Sequence, residues 1–531
     1  MDQGLGAGRG RDPRQDLVVI ATPPSSLRQS QRRLYLLPPS LLSRRWRRRF
    51  ALHLLSPLLG LAWPAHLRHQ SGSTGSATPA PPGPAPLPAD PAAYWQAALE
   101  RMVPRRGPNR RLGLAQAHYL AGTAGGYRAI FGGLNRYRIP AEAIDPQHGR
   151  ILPHFFPGDE SWWIERLRDA GVPQVAVLET DPALPDSAVA GVATQVASRH
   201  RPQGIILGNE LNIDPHWYGS RADSFRVIGE DERIRRYLEQ WRAVHQAVKA
   251  VSPSIRLFFY GEAHYGDLYD GGRPVERAFL RRLVSACIRR GDPLPDGLVF
   301  HYYGPVWGLP QRAAQYMRFA RETGIPAQVS CLELGPPAPI LDREEESLLR
   351  RRAATHPRFE SRYDELRAQG WLTEEEQAAL VAHQLAVAAG TPWLAEACLF
   401  SATDVPDDPQ HTGLVGMRLG LYRPRPALEV FLFLQRLLNE LILAELILPT
   451  ENNGVAELRI QRDDGLEARV LWSEALPDDV RAPEREVLLP TLAVAFRADG
   501  TLLQAPQRDP APLTLPGSTT PQCGGPAVVV I

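Results

Sequence analysis

Lysine is all but missing from this 531-residue chain: of its 60 basic residues only Lys249 is a lysine. Arginine enrichment of this kind follows from coding bias or a warm habitat and does not bear on function. Cysteine is scarce too. Cys287, Cys331, Cys398 and Cys523 lie far apart with no C-x-x-C spacing, which excludes a zinc ribbon and a dense disulfide scaffold. Buried thiols are expected, with one long-range disulfide as the alternative. No uninterrupted apolar run reaches the roughly 18 residues of a membrane span. No repeat at a solenoid period is present, and composition excludes a collagen, a coiled coil and a wholly disordered chain. What remains is enough chain for a large globular core with something attached.

Charge of one sign is also in short supply. The net charge is +2, yet residues 1–70 hold twelve arginines against three acids, a local balance of +9 that leaves −7 for the rest. The folded part therefore lacks the clustered basic footprint of nucleic-acid binding, and no nucleic-acid partner is expected. Residues 1–43 are an irregular basic stretch. In 44–66, Arg44-Arg45-Trp46-Arg47-Arg48-Arg49 precedes a short apolar run that closes in small residues near Ala65. That order is the pattern of an export signal or anchor, and Arg47-Arg48-Arg49-Phe50 loosely resembles a twin-arginine signal. His53 and Pro57 argue against a stable spanning helix. A secreted or cell-surface location is the expectation, with transient membrane contact through this leader; a basic tail on a cytosolic protein is the alternative. In residues 67–92, Ser71–Pro91 reads SGSTGSATPAPPGPAPLPADP, a Pro/Ala/Ser-rich tether too poor in apolar surface to fold.

Residues 93–447 alternate short apolar runs with amphipathic stretches, the sequence form of repeated βα units. The candidate strands are Leu112–His118, Ile151–Phe155, Gln174–Glu179, Gly204–Asn209, Arg256–Tyr260, Leu298–Tyr303, Ala327–Glu333 and Ala395–Ala402. That makes eight, the number that closes a (β/α)8 barrel. Leu238, Trp241, His245 and Val248 recur at helical steps and Ser252-Pro253 ends that helix. Thr373-Glu-Glu-Glu376 is a capping box opening a helix through Leu385, and Asp342–Gln369 is a charged helical insertion. Residues 448–531 change to a period of two. Val455–Ile460 and Leu466–Trp472 flank Asp464-Gly465, a two-residue hairpin signal whose turn needs positive φ at both centres. Asp499-Gly500 repeats the device, and Pro526–Ile531 reads as a last strand. The expected fold class is α/β, a TIM barrel with a small C-terminal all-β, sandwich-like domain behind a disordered leader.

The chemistry concentrates where two apolar strands end in a carboxylate. Gln203-Gly-Ile-Ile-Leu-Gly-Asn-Glu210 closes the fourth strand, and Ala327-Gln-Val-Ser-Cys-Leu-Glu333 the seventh. In a barrel those ends form the C-terminal face, where catalytic groups sit. Two carboxylates converging there suit paired acid and nucleophile work, with retention of anomeric configuration at a separation of about 5–5.5 Å.

With these residues in view the chain resembles the clan A retaining glycoside hydrolases over roughly residues 110–440. Gly208-Asn209-Glu210 is similar to their strand-four Asn-Glu pair, Leu332-Glu333-Leu334-Gly335 to their strand-seven nucleophile, and Tyr237–Pro253 to their helix before strand five. Tyr260-Gly261-Glu262-Ala263 stands at their small-residue strand-five end, Phe300-His301-Tyr302-Tyr303 at their His-x-Tyr, and Leu399–Asp404 with Gly413-Leu414 at strand eight and the turn beyond. The resemblance implies Glu333 as nucleophile and Glu210 as acid/base. Asn209 would bind a hydroxyl beside the reacting carbon. Tyr303, or secondarily Tyr302, would donate to Glu333, and His301 would do the same or contact a hydroxyl, with a satisfied core histidine as its alternative. Trp217, Tyr218 and Trp307 are candidate sugar platforms or, equally, ordinary packing, while Trp162 and Trp163 read as structural. Glu262 and His264 would line the cleft or be solvated. Phe400 stands where the clan carries a tryptophan, and the clan's strand-two arginine is not placed.

The expected function is an exported retaining β-glycosidase acting as a monomer on a polysaccharide or its fragments, with neither cofactor nor metal. A non-catalytic, cell-surface carbohydrate-binding barrel is the alternative, motivated by Phe400 and the insertion. A transglycosylase would share every residue of the first reading.

Overall fold

A computed structural model of the chain describes residues 107–115, 132–152, 160–212, 229–263, 268–353, 357–404, 412–418, 421–476, 481–490, 493–504, 510–518 and 524–531, with single positions 103 and 479. The leader and tether, Trp217, Tyr218, His264 and Cys523 lie outside the described residues.

Eight parallel strands form the barrel: β1 (Asn109–Ala115), β2 (Gly133–Ile139), β3 (Gln174–Leu178), β4 (Gly204–Leu207), β5 (Arg256–Phe258), β6 (Leu298–Tyr302), β7 (Val329–Leu334) and β8 (Leu394–Leu399). Neighbours in sequence are neighbours in space, and β8 returns to pair with β1. The ring closes between β5 and β6 through backbone bonds Asp296 N to Leu257 O, Glu262 N to Val299 O and His301 N to Glu262 O. Most of these strands are near-continuous apolar runs, as a sheet buried on both faces requires. The helices on the outside are α1 (Glu160–Asp169), α2 (Asp186–Gln195), α3 (Glu230–Val251), α4 (Phe279–Arg290) and α5 (Gly308–Thr323), then α6 (Arg343–Ala353), α7 (Pro357–Ala368), α8 (Glu374–Gly390) and α9 (Pro426–Leu437). The α3 helix buries Leu238, Trp241 and Val248 on one face and stops at Ser252, as its periodicity predicts. Thr373 and Glu376 cap α8 reciprocally.

The second strand differs from its expected position. Ile151 belongs to a two-residue ladder with Ile144, outside the barrel, and the true β2 is Gly133–Ile139 between β1 and β3. Its inner face carries arginines, so it reads less apolar than its neighbours. The insertion is helical, as expected, and comprises α6 and α7. Its two ends pair as a short parallel ladder, Ile340–Leu341 with Leu372–Thr373, and Arg423 ties both ends down by pairing Asp342 and Glu374.

The C-terminal sheet starts earlier than its alternation suggests, with β9 (Leu441–Ile447) pairing β10 (Val455–Arg462). It continues through β11 (Glu467–Ser473), β16 (Val528–Val530), β13 (Ala495–Arg497) and β14 (Leu502–Gln504), while β12 (Arg485–Leu489) and β15 (Ala511–Leu515) make a separate ladder. One face of the sheet packs Val455, Leu471 and Val528 on Leu489, Leu513 and Leu515. The other sends Ala456, Leu458 and Trp472 into the barrel's own core. Both Asp-Gly hairpins form, but their turns differ from expectation. Gly465 N bonds Arg462 O and Gly500 N bonds Arg497 O, and among the turn residues only the glycines, at φ 85° and 89°, are left-handed. These are three-residue loops ending in a glycine bulge. Cys287, Cys331 and Cys398 are buried free thiols.

Candidate active site

Side chains alternate across a strand, and here the alternation builds the site. The inward positions nearer the floor are apolar: Leu134 on β2, Val175 and Val177 on β3, Val299 on β6 and Cys398 on β8 form one buried cluster. Two residues closer to the C-terminal face, the same rows turn polar or aromatic. They become Arg136 and Arg138, Glu179, His301 and Tyr303, and Phe400. Glu210 arrives there by a sharp departure from β4, with Gly208 at φ 90° and Glu210 at φ 52°. Such left-handed backbone at a non-glycine residue is held by its surroundings, here by the bond from Glu210 N to Gly261 O at 2.8 Å.

Five expected residues and one unforeseen residue meet. Glu333 pairs with Arg136 Nη2 through Oε1 at 2.7 Å and accepts from the Tyr303 hydroxyl through Oε2 at 2.6 Å. The same Arg136 nitrogen donates to Asn209 Oδ1 at 2.8 Å. His301 Nδ1 lies 2.8 Å from Glu210 Oε1 and 3.4 Å from Glu333 Oε2, which makes that nitrogen a donor shared between the carboxylates. The His301 ring fits because residue 261 is glycine: a Cβ there would stand 2.4 Å from His301 Nε2. Arg136 is the strand-two arginine. An R-x-R pair following a glycine pair was the available signal.

The electrostatics favour a charged Glu333. Burial alone would raise the Glu333 pKa, but His301, Arg136, Arg138 and the Tyr303 hydroxyl outweigh it and lower the value to about 2. Burial and the two neighbouring carboxylates push the Tyr303 phenol well above its ordinary range, so it stays a donor. Glu210 keeps 16% of its side chain open to solvent against 5% for Glu333, so Glu210 is the more accessible acid.

Not every candidate joins this cluster. The Phe400 ring meets Tyr303 edge-on at 5.9 Å. Trp307 stacks on Trp472 of the β-domain at 5.8 Å and donates to Glu474, so its ring is engaged in packing. Tyr302 donates to Pro305 O. Glu262 neither lines a cleft nor is solvated: it is buried and accepts from Tyr316. Among the described residues Glu210, His301 and Glu333 are also the one group offering three metal-ligand atoms within 4.8 Å. Both Glu333 oxygens are already engaged, one by a guanidinium, and a cation there would face Arg136 directly. The donor set does not fit a metal.

No family model matches the chain, and no curated protein matches its sequence. Solved structures do. A family 39 glycoside hydrolase from Bacteroides cellulosilyticus superposes with a TM-score of 0.50 at 15% identity, covering 80% of this chain and 81% of that one. A glucosidase from Croceicoccus marinus gives 0.51 at 14%, covering 80% and 95%. The fold they share with this chain is a (β/α)8 barrel followed by a C-terminal β domain. On that frame, Arg136 lies midway along strand two, while Asn209-Glu210, His301, Tyr303 and Glu333 lie at or just past the ends of strands four, six and seven.

Proposed function

We propose that this barrel is a clan A retaining glycoside hydrolase that cleaves β-glycosidic bonds by double displacement. The observation that carries the reading is the spacing of the acids: one carboxylate oxygen of Glu210 and one of Glu333 lie within 4.8 Å of each other. That is close to the separation of about 5–5.5 Å in retaining enzymes and short of the roughly 6.5–9.5 Å that leaves room for water in inverting ones. The glycosidase names of the two structural neighbours agree in kind.

Glu333, held ionised, attacks the anomeric carbon and forms a covalent glycosyl-enzyme. Glu210, the more exposed acid and hydrogen-bonded to His301, protonates the leaving oxygen and then takes a proton from water. Arg136 holds Glu333 and Asn209 together, which fixes the nucleophile and aims the Asn209 amide toward the sugar. Phe400, flanking Tyr303, offers an apolar face to a pyranose. The substrate is a carbohydrate, polysaccharide or fragment.

Proton NMR of early turnover of an aryl β-glycoside tests this. The β anomer should form first and mutarotate afterwards. First formation of the α anomer would make the enzyme inverting, and sugar binding without release would make the barrel a binding protein.

A further inference from the structure

Beyond the acids, the mouth of the barrel holds a second charged group, of which the mechanism uses only the charge of Arg138 and none of the hydrogen-bonding atoms. Arg138 stands two residues beyond Arg136 on the inner face of β2, and Glu179 two residues beyond Val177, just past the end of β3. Their side chains form an ion pair, Arg138 Nη2 to Glu179 Oε1. Both are partly open, with 28% and 21% of the side chain exposed. They lie toward the C-terminal face, beside strand four's Asn209-Glu210, and Arg138 is near enough for its charge to favour ionised Glu333.

The barrel floor offers a contrast. There Glu396 spends both oxygens, one on Arg256 and Gln203 and the other on the Ser330 hydroxyl, a closed network suited to structure. The Arg138–Glu179 pair is unclosed. Among the described residues Glu179 has Arg138 as its only side-chain partner, leaving Oε2 as an acceptor, and Arg138 keeps Nε and Nη1 as donors.

We propose that Arg138 and Glu179 form the hydroxyl-recognising pair of the sugar subsite beside Glu333, selecting a neutral sugar with two adjacent free hydroxyls. This rests on the glycosidase reading above. A carboxylate accepts one hydroxyl proton while the neighbouring guanidinium donates to the adjacent oxygen, so acceptor and donor side by side match a vicinal diol. A uronic acid would bring its charge against Glu179. A site built to bind a hydroxyl rejects the analogue lacking it because its buried polar group is left unpaired.

The test uses the full chain with the 4-nitrophenyl β-xyloside, β-glucoside, β-galactoside and β-mannoside, then the monodeoxy analogues of whichever is hydrolysed. Wild type should lose about 10- to 100-fold in kcat/KM on at least one monodeoxy analogue. Glu179→Gln should lose a similar factor on the parent glycoside and little more on that analogue. Arg138→Lys, which keeps the charge, should recover part of the discrimination. Losses that simply multiply for every analogue, or a wild type indifferent to all of them, would overturn the pair's role. So would failure of both variants to fold, because the pair would then be structural. Wild type inactive on all four glycosides, and releasing no reducing sugar from β-glucan or β-xylan, would instead overturn the glycosidase reading, and this proposal with it.

Discussion

On the proposed mechanism, one hydroxyl, that of Tyr303, sets the working range of the site. Its O–H stabilises the charged form of Glu333, together with His301 and Arg136. A group whose folded pKa is lowered is ionised above that value and loses its charge as pH falls through it. In Tyr303→Phe the ring packing on Phe400 survives and the donor goes, so the Glu333 pKa rises. The acid limb of kcat/KM should appear about one to two pH units higher than in wild type. An unmoved acid limb in a folded variant would show that the hydroxyl does not hold the nucleophile. At this scale the sequence was legible for Asn209, Glu210, His301, Tyr303 and Glu333, because each closes a recognisable strand. Arg136 escaped because the same property that makes it useful, a cation inside a barrel, makes its strand read as polar. For Trp307 the sequence leaves platform and packing open, and the structure answers with packing; its engagement with Trp472 and Glu474 depends on a partner 165 residues further along, which local reading does not reach.

The strand ends act as elements, and the end of β5 shows what they tolerate. Gly261 leaves room for the buried His301 ring, and its carbonyl holds Glu210. Gly261→Ala would place a methyl against that ring and force it to move, releasing its bond to Glu210. Displacements of about 1 Å in such a site cost on the order of 10²-fold in rate, and overpacking costs about 1–3 kcal/mol. Steady-state kinetics and thermal unfolding of the variant should show both; unchanged kcat would mean that His301 does not position the acid. Most elements were legible because their signals are local, as with the α8 capping box, the α3 stripe and the Asp-Gly hairpins. The turn type was not, since two-residue and three-residue loops share the same dipeptide and only the backbone at Gly465 and Gly500 distinguishes them.

At the scale of the molecule, the β-domain is joined to the barrel by aromatic packing. Trp472 is fully buried, stacks on Trp307 and on His383 of α8, and donates to Glu474, which also accepts from Trp307. His383 in turn bonds Gly525 O at 2.9 Å. Trp472→Ala should therefore cost about 3–5 kcal/mol and lower the melting of barrel and β-domain together, in one calorimetric transition. Two separated transitions in wild type would contradict that coupling. The architecture was legible as eight βα units followed by alternation. The start of the β-domain was less so, because β9 exposes the consecutive residues Ile442 and Leu443 at a register shift against β10 and so lacks the period of two.

The central claim is that Glu333 is the nucleophile of a retaining mechanism. Incubation of the full chain with 2-deoxy-2-fluoro aryl β-glycosides, followed by intact mass and peptide mapping, tests it most directly. A covalent sugar adduct on the peptide carrying Glu333, absent from Glu333→Gln, is the predicted result. An adduct on another carboxylate, or hydrolysis of the parent glycosides with no adduct from any fluorosugar, would contradict it.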